Sequence, residues 1–171
     1  MINFKNKIRD IPDFPRKGIV FKDISPLLGD KKFFKMAVCR LSNCFKERNI
    51  DKVVGIDARG FIFAGAVAIK LNAGVVMARK KGKLPFETEE EEYALEYGKA
   101  ILEIQKDAIL PGEKVLIVDD VLATGGTMQA AIKIVEKLKG KVSGIIFLVA
   151  LDFLGGKEKL NGYNIVSLID Y

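Results

Sequence analysis

Four short runs recur along the chain: Val53-Val54-Gly55-Ile56, Gly74-Val75-Val76-Met77-Ala78, Val115-Leu116-Ile117-Val118 and the stretch Val142 to Val149. Each is apolar at successive positions rather than at every second one, so none has a face to turn to water. Strands of that kind belong in a parallel sheet covered by helices on both faces. The segments between them supply the cover. Behind Asp30, a candidate N-cap, Phe34, Ala37, Val38, Leu41 and Phe45 recur at steps of three and four, which predicts a helix to about Arg48. Gly60 to Leu71 reads as a buried helix rich in small residues, and Thr127 to Leu138 places Ala131, Ile134, Val135 and Leu138 on one face. The expected fold is α/β, a parallel twisted sheet flanked by helices, in a single domain spanning 1–171. The breaker-rich Ile11-Pro12-Asp13-Phe14-Pro15-Arg16-Lys17-Gly18 fits a small N-terminal hood over 1–30 better than a strand of the main sheet.

Three of the four runs stop at charged residues: Asp57 with Arg59, Arg79 with Lys80, and Asp119 with Asp120. In such sheets ligands bind beyond the carboxyl ends of the strands, so this convergence marks a site. Composition narrows its chemistry. The chain has no histidine, which excludes a Ser-His-Asp triad, a histidine base and histidine metal ligands. Its formal charge of +6 favours anionic partners.

The most informative segment is Val115-Leu116-Ile117-Val118-Asp119-Asp120-Val121-Leu122-Ala123-Thr124-Gly125-Gly126-Thr127. Adjacent glycines let backbone amides converge on one point, a helix N-terminus adds a positive dipole end, and two threonine hydroxyls add donors. The turn suits a phosphate. Two carboxylates one step earlier would repel that phosphate, so they accept hydrogen bonds from sugar hydroxyls or lie near a magnesium ion. A phosphorylated sugar satisfies both halves. Neither G-x-x-x-x-G-K-[ST] nor a G-x-G-x-x-G after a strand occurs, which argues against a Walker-type nucleotide site and a dinucleotide site.

An apolar strand, two acids and a T-G-G-T turn together resemble the purine/pyrimidine phosphoribosyltransferase family. Asp13-Phe14-Pro15, Gly18 to Leu27, Asp57-Ala58-Arg59-Gly60-Phe61, Arg79 to Pro85, Leu95-Glu96-Tyr97-Gly98 and Leu102 to Ala108 extend the likeness, in order and spacing, to its adenine-specific branch. The resemblance implies Mg²⁺-dependent transfer of the 5-phosphoribosyl group from phosphoribosyl pyrophosphate to adenine, giving AMP and pyrophosphate in purine salvage. It implies that Ala123, Thr124, Gly125, Gly126 and Thr127 hold the 5-phosphate and that Asp119 and Asp120 hold the ribose hydroxyls. Arg59, Arg79, Lys80 and Lys83 would contact the pyrophosphate, some of them from a neighbouring subunit of a homodimer. Val20 and Lys22 would read the adenine edge through their backbone while Phe21 packs near the ring. Glu96 would handle the purine proton, with Tyr97 beside it, and Mg²⁺ would be held mainly by substrate near Asp119 and Asp120. Residues 79–95 would form a flexible lid loop. Phe86 stands where the family usually has glycine, Ala58 where serine is common and Lys22 where arginine is frequent.

Other readings of the residues stay open at this stage. A 6-oxopurine could replace adenine, and a regulator that keeps the fold as a sensor could bind nucleic acid. Against the latter, the basic residues lie among substrate motifs rather than in a separate patch. Five glutamates between Glu87 and Glu92 read as a solvated loop. Cys39 and Cys44 lack C-x-x-C spacing and read as reduced core residues. No run approaches the ~20 apolar residues of a membrane span, and charges interrupt the N-terminal segment, so a cytoplasmic protein without membrane or nucleic-acid partners is expected.

Overall fold

The structure, a computed structural model, describes residues 3–94 and 98–171. Its N-terminal portion holds β1 (Arg9–Pro12) and β2 (Val20–Asp23), a short helix α1 (Ser25–Leu28) and α2 (Lys31–Asn43). There follow β3 (Lys52–Ile56), α3 (Gly60–Leu71), β4 (Gly74–Lys80), β5 (Thr88–Ala94), β6 (Lys99–Gln105), β7 (Lys114–Leu122), α4 (Gly126–Lys137), β8 (Lys141–Ala150) and β9 (Ile165–Asp170). A seven-stranded sheet has the order β5-β6-β4-β3-β7-β8-β9. The five strands β4-β3-β7-β8-β9 run parallel, while β6 is antiparallel to both β4 and β5.

Successive residues of a strand face opposite sides of the sheet, and the core divides accordingly. Val115 and Ile117 pack with Met128, Ala131, Ile134 and Val135 of α4 on one side. Leu116 and Val118 pack with Val38 and Leu41 of α2 and with Phe63 and Val67 of α3 on the other. Neither face of β7 meets water here, which is why Val115 to Val118 reads as a continuous apolar run; β4 departs from the expectation, with Val75 and Met77 exposed on one face. Asp30 caps α2 as expected, its carboxylate accepting from Lys32 N at 3.0 Å and Phe33 N at 3.2 Å.

The structure corrects several expectations. The helix expected to reach about Arg48, α2, ends at Asn43, and a separate 3-10 turn covers Lys46–Arg48 before Asn49 takes a left-handed conformation. Of the two free cysteines, Cys44 is exposed, just beyond the end of α2, and Cys39 within α2 is only half-buried. Part of the hood is an antiparallel pair, β1 with β2, in which Ile11 lies opposite Phe21. Of the segment 79–95, expected as a loop, Arg79 and Lys80 finish β4 and 88–94 form β5, which takes in the acidic run from Glu89 to Glu92. Its carboxylates do not repel it into solvent because lysines neutralise them one by one. Glu87 pairs with Lys106, Glu89 with Lys137, Glu90 with Lys81, Glu91 with Lys133 and Lys137, and Glu92 with Lys99. Leu95, Glu96 and Tyr97 lie outside the described residues, and with them the proposed proton-handling carboxylate.

Candidate active site

In the parallel part of the sheet the chain leaves β3 toward β4 on one side and leaves β7 toward β8 on the other. Such a parting of directions is where open α/β sheets bind ligands. β3 pairs with β7 only as far as Gly55 opposite Val118, whereas β7 continues along β8 to Leu122. The acidic pair was expected just beyond the strand but stands inside it. Asp119 lies opposite Phe147 of β8, one step past the last pair between β3 and β7, while β3 stays paired with β4 through Ile56 and Ala78. The gap opens a cavity of about 440 Å³.

Asp57, Ala58 and Arg59 from the end of β3 line this cavity, with Lys80 from β4, Asp119, Asp120 and Val121 from β7, Ala123 and Thr127 beyond it, and Ile19 to Lys22 from the hood. A smaller cavity of about 80 Å³ shares Asp119, Val121, Ala123 and Thr127 and adds Thr124, Gly125 and Gly126. The structure therefore brings together the acid pair, the T-G-G-T turn, Arg59, Lys80 and the hood residues Val20, Phe21 and Lys22. Arg79 and Lys83 do not line either cavity. Arg79 stands behind the first, its Nε donating to Asp57 Oδ2 at 3.0 Å and Nη1 to the Lys83 carbonyl at 3.3 Å. Lys83 is exposed in the turn after β4.

Each part of the site has a local cause. Gly125, the N-cap of α4, has φ of +82°, a conformation that glycine alone adopts at little cost, and the Gly156 carbonyl would lie 3.0 Å from any Cβ there. No side chain caps α4, so its first N–H groups remain available to an anion. Arg59 occupies the N-cap position of α3. Its guanidinium lies between the hood and the acid pair, with Cζ 4.7 Å from the Phe21 ring centroid and Nε 2.8 Å from Asp120 Oδ2. The Nε–H does not point along that line, so Asp120 Oδ2 is buried without a hydrogen bond among the described residues. The Arg59 charge offsets part of the cost of burying this oxygen, and a ligand hydroxyl would supply the hydrogen bond it lacks. Burial, followed by the neighbouring Asp120 charge, pushes the Asp119 carboxyl well above the usual carboxylate range. Burial also raises Asp120, opposed by the Arg59 charge.

In the hood, Phe21 meets Phe14 edge-on with centroids 5.1 Å apart. Lys22 Nζ is occupied, 2.8 Å from Asp10 Oδ1 and 3.9 Å from the Tyr171 ring centroid. β2 pairs only with β1 among the described residues, so its second edge offers backbone groups to a ligand. Leu151 and Leu154 line the same cavity and were not singled out from sequence. They follow β8, and its long apolar run, ending on another carboxyl edge, is the signal that could have found them. Among the described residues no group of three or more His, Cys, Asp or Glu could form a metal cage.

Comparison with known proteins agrees with this architecture. Residues 31–168 match the phosphoribosyl transferase domain model. An adenine phosphoribosyltransferase of Geobacter metallireducens is 56% identical over 171 residues, the whole of both chains. The crystal structure of adenine phosphoribosyltransferase from Thermoanaerobacter pseudethanolicus superimposes with a TM-score of 0.95 at 52% identity, covering 98% of each chain. That of the Saccharomyces cerevisiae enzyme, complexed with adenine and an imino-altritol bisphosphate, gives 0.90 at 40% identity over 96% of this chain and 96% of that one. The open sheet is that of the type I phosphoribosyltransferases, and the chain belongs to the adenine phosphoribosyltransferase family.

Proposed function

We propose that the chain, acting in the cytoplasm as a homodimer, transfers the 5-phosphoribosyl group of phosphoribosyl pyrophosphate to adenine, releasing pyrophosphate and forming AMP for purine salvage. The observation that carries the reading is the meeting of three features at one cavity: a phosphate-suited turn, a pair of adjacent carboxylates, and a hood with an aromatic ring and a free backbone edge. The Saccharomyces relative was crystallised with adenine itself.

Thr124, Gly125, Gly126 and Thr127 hold the 5-phosphate through backbone N–H groups, hydroxyls and the α4 dipole. Asp119 and Asp120 accept hydrogen bonds from the ribose hydroxyls, which adds to the Arg59 ion pair the hydrogen bond that Asp120 Oδ2 lacks. The base lies along β2 between Phe21 and the apolar wall of Leu151 and Leu154, read by the backbone of Val20 and Lys22. As the bond to pyrophosphate breaks, cationic character grows on the anomeric carbon and negative charge on the leaving group. Arg59, Arg79, Lys80 and Lys83 stabilise the leaving charge, and Glu96 takes the proton of the purine nitrogen, with Tyr97 beside it.

The residues fit a magnesium ion held chiefly by substrate, since Mg²⁺ is commonly bound through one or two carboxylates plus substrate phosphates and Asp119 and Asp120 offer that pair. When bound, the ion supplies charge neutralisation on the pyrophosphate. The dimer is supported by an unpartnered apolar face on α3 and β4, where Ile62, Ile69, Val75 and Met77 are exposed. Incubating the protein with phosphoribosyl pyrophosphate, Mg²⁺ and radiolabelled adenine or hypoxanthine tests the reading. Labelled AMP is expected, and turnover of hypoxanthine but not adenine would overturn the base assignment.

A further inference from the structure

Ser42, Glu103 and Asp120 are the buried polar residues among those described, and the mechanism above uses only Asp120. Glu103, on β6, is 3% exposed. A carboxylate is buried at high cost unless hydrogen bonds repay the water it loses, so its partners show what the burial accomplishes. Oε1 accepts from Lys83 N and Leu84 N, both at 3.0 Å, and Oε2 from Thr88 Oγ1 at 3.4 Å. Glu103 stands opposite Arg79 of β4 and Glu90 of β5, between the two strands that the turn joins.

That turn does not need a buried acceptor in order to exist. Lys81, Gly82 and Lys83 are exposed; the Lys81 N–H already donates to the Ile101 carbonyl at 3.0 Å, and water could satisfy the N–H of Lys83. What Glu103 adds is a fixed position. The backbone of Lys83 is gripped from both sides, its N–H by Glu103 and its carbonyl by Arg79, and Arg79 is oriented in turn by Asp57 at the rim of the cavity. The Lys83 ammonium itself has no acidic partner among the described residues, whereas Lys81 two positions earlier is tied to Glu90 at 2.8 Å.

We propose that Glu103 is a positioning residue that sets the Lys83 turn so that its free ammonium faces the pyrophosphate leaving group. The proposal rests on phosphoribosyl pyrophosphate being the substrate. Glu103 touches no reacting atom and acts through the Lys83 and Leu84 amides.

Steady-state kinetics of the full chain test it, with thermal unfolding measured alongside. Glu103→Ala should raise the KM for phosphoribosyl pyrophosphate about tenfold while the KM for adenine moves by less than about twofold. Glu103→Gln, which keeps an oxygen for both amides, should recover most of that loss. Glu103→Asp keeps the charge but withdraws it by one methylene, and should behave like the alanine variant; it decides the matter if the alanine variant does not fold. Lys83→Ala should raise the same KM, and Glu103→Asp added to it should cost little more. A full additional loss in the double variant, or a lowered melting temperature with both KM values unchanged, overturns the proposal. An inactive wild type would overturn the substrate reading itself, and is recognised because it needs no variant.

Discussion

Gly60 is the first residue of α3 and follows Arg59, so a single methyl there tests whether the close seating of this helix on β7 sets the site. A Cβ would lie 2.9 Å from the Val118 carbonyl oxygen, 3.0 Å from Asp119 Oδ1 and 3.2 Å from Asp119 Cα. Two of these are main-chain atoms in the middle of the sheet and cannot swing aside. Relief therefore requires α3 to back away by roughly half an ångström, the shortfall from ordinary van der Waals contact. Gly60 has no positive φ, so alanine is acceptable to the backbone and strain there does not confuse the result. Alanine gains at most about 1 kcal/mol in helix propensity. Overpacking costs about 1–3 kcal/mol. The net loss of roughly 0–2 kcal/mol lowers the melting temperature by roughly 0–8 °C in a chain of this size.

The effect on activity should be larger than the effect on stability. Retreat of α3 carries Arg59 off Asp120, where its Nε now stands at 2.8 Å. A misplacement near 1 Å can cost up to ~10²-fold, so half of that predicts about a tenfold fall in kcat/KM for phosphoribosyl pyrophosphate. The assay is initial-rate AMP formation with each substrate varied in turn, beside calorimetric unfolding. Wild-type kcat/KM in a folded Gly60→Ala protein would refute the reasoning, because it would mean that the contact can open without disturbing the arginine.

Asp119→Asn should stabilise the unliganded protein at neutral pH while weakening phosphoribosyl pyrophosphate about tenfold or more, since a charged acceptor is lost. A carboxyl raised on folding contributes stability below its unfolded value of 3.8, and that contribution is lost as pH rises through the folded value. The gap between variant and wild type should therefore close as the buffer is taken down toward pH 3.8, and an equal gap at acid and neutral pH counts against the assignment. Thr124→Val should raise the KM for phosphoribosyl pyrophosphate about tenfold with little change in kcat; an unmoved KM removes the turn from the phosphate site. Glu96→Ala should lower kcat by ~10²–10⁴ with a much smaller effect on sugar-phosphate affinity, and equal losses in both would argue against proton handling.

The parts of the molecule legible in the sequence are those whose signal is local. A strand with helices on both faces must be apolar at successive positions, and Val53 to Ile56, Val115 to Val118 and Gly144 to Ala150 are; Val75 and Met77 of β4 continue the pattern although they are exposed. The T-G-G-T turn shows itself because φ at Gly125 demands a residue without a side chain. The acid pair was visible, but not that it lies within a strand, because that depends on β7 keeping its pairing with β8 after β3 has parted from it. β5 was hidden altogether. Its glutamates look solvated until Lys133 and Lys137, forty residues further on, are brought against them by α4. Leu151 and Leu154 were missed for a related reason. A leucine after an apolar strand looks like more core, and only the position of the hood across the sheet turns it into a wall of the cavity.

Net charge acquires meaning only once it is sorted by partner. The glutamates of β5 consume Lys81, Lys99, Lys133 and Lys137, and Glu87 just before it takes Lys106, which neutralises an edge strand and also blunts it against pairing with another sheet. What remains near the cavity on that side is Lys80 on its wall and Lys83 in the turn, neither with an acidic partner among the described residues. At the strand ends the pairing is uneven as well. Asp57 takes Arg79 and Asp120 takes Arg59, but Asp119 has no salt-bridge partner among the described residues. The carboxyl edge of the sheet thus presents acceptors at β7 and uncommitted cations at β4, a polarity that suits a ligand with hydroxyls at one end and a pyrophosphate at the other. A reaction that separates a sugar cation from an anionic leaving group needs the cationic side constant across neutral pH. Guanidinium and ammonium groups meet that need, whereas an imidazole would change charge near pH ~6.5 and make the same step depend on the medium.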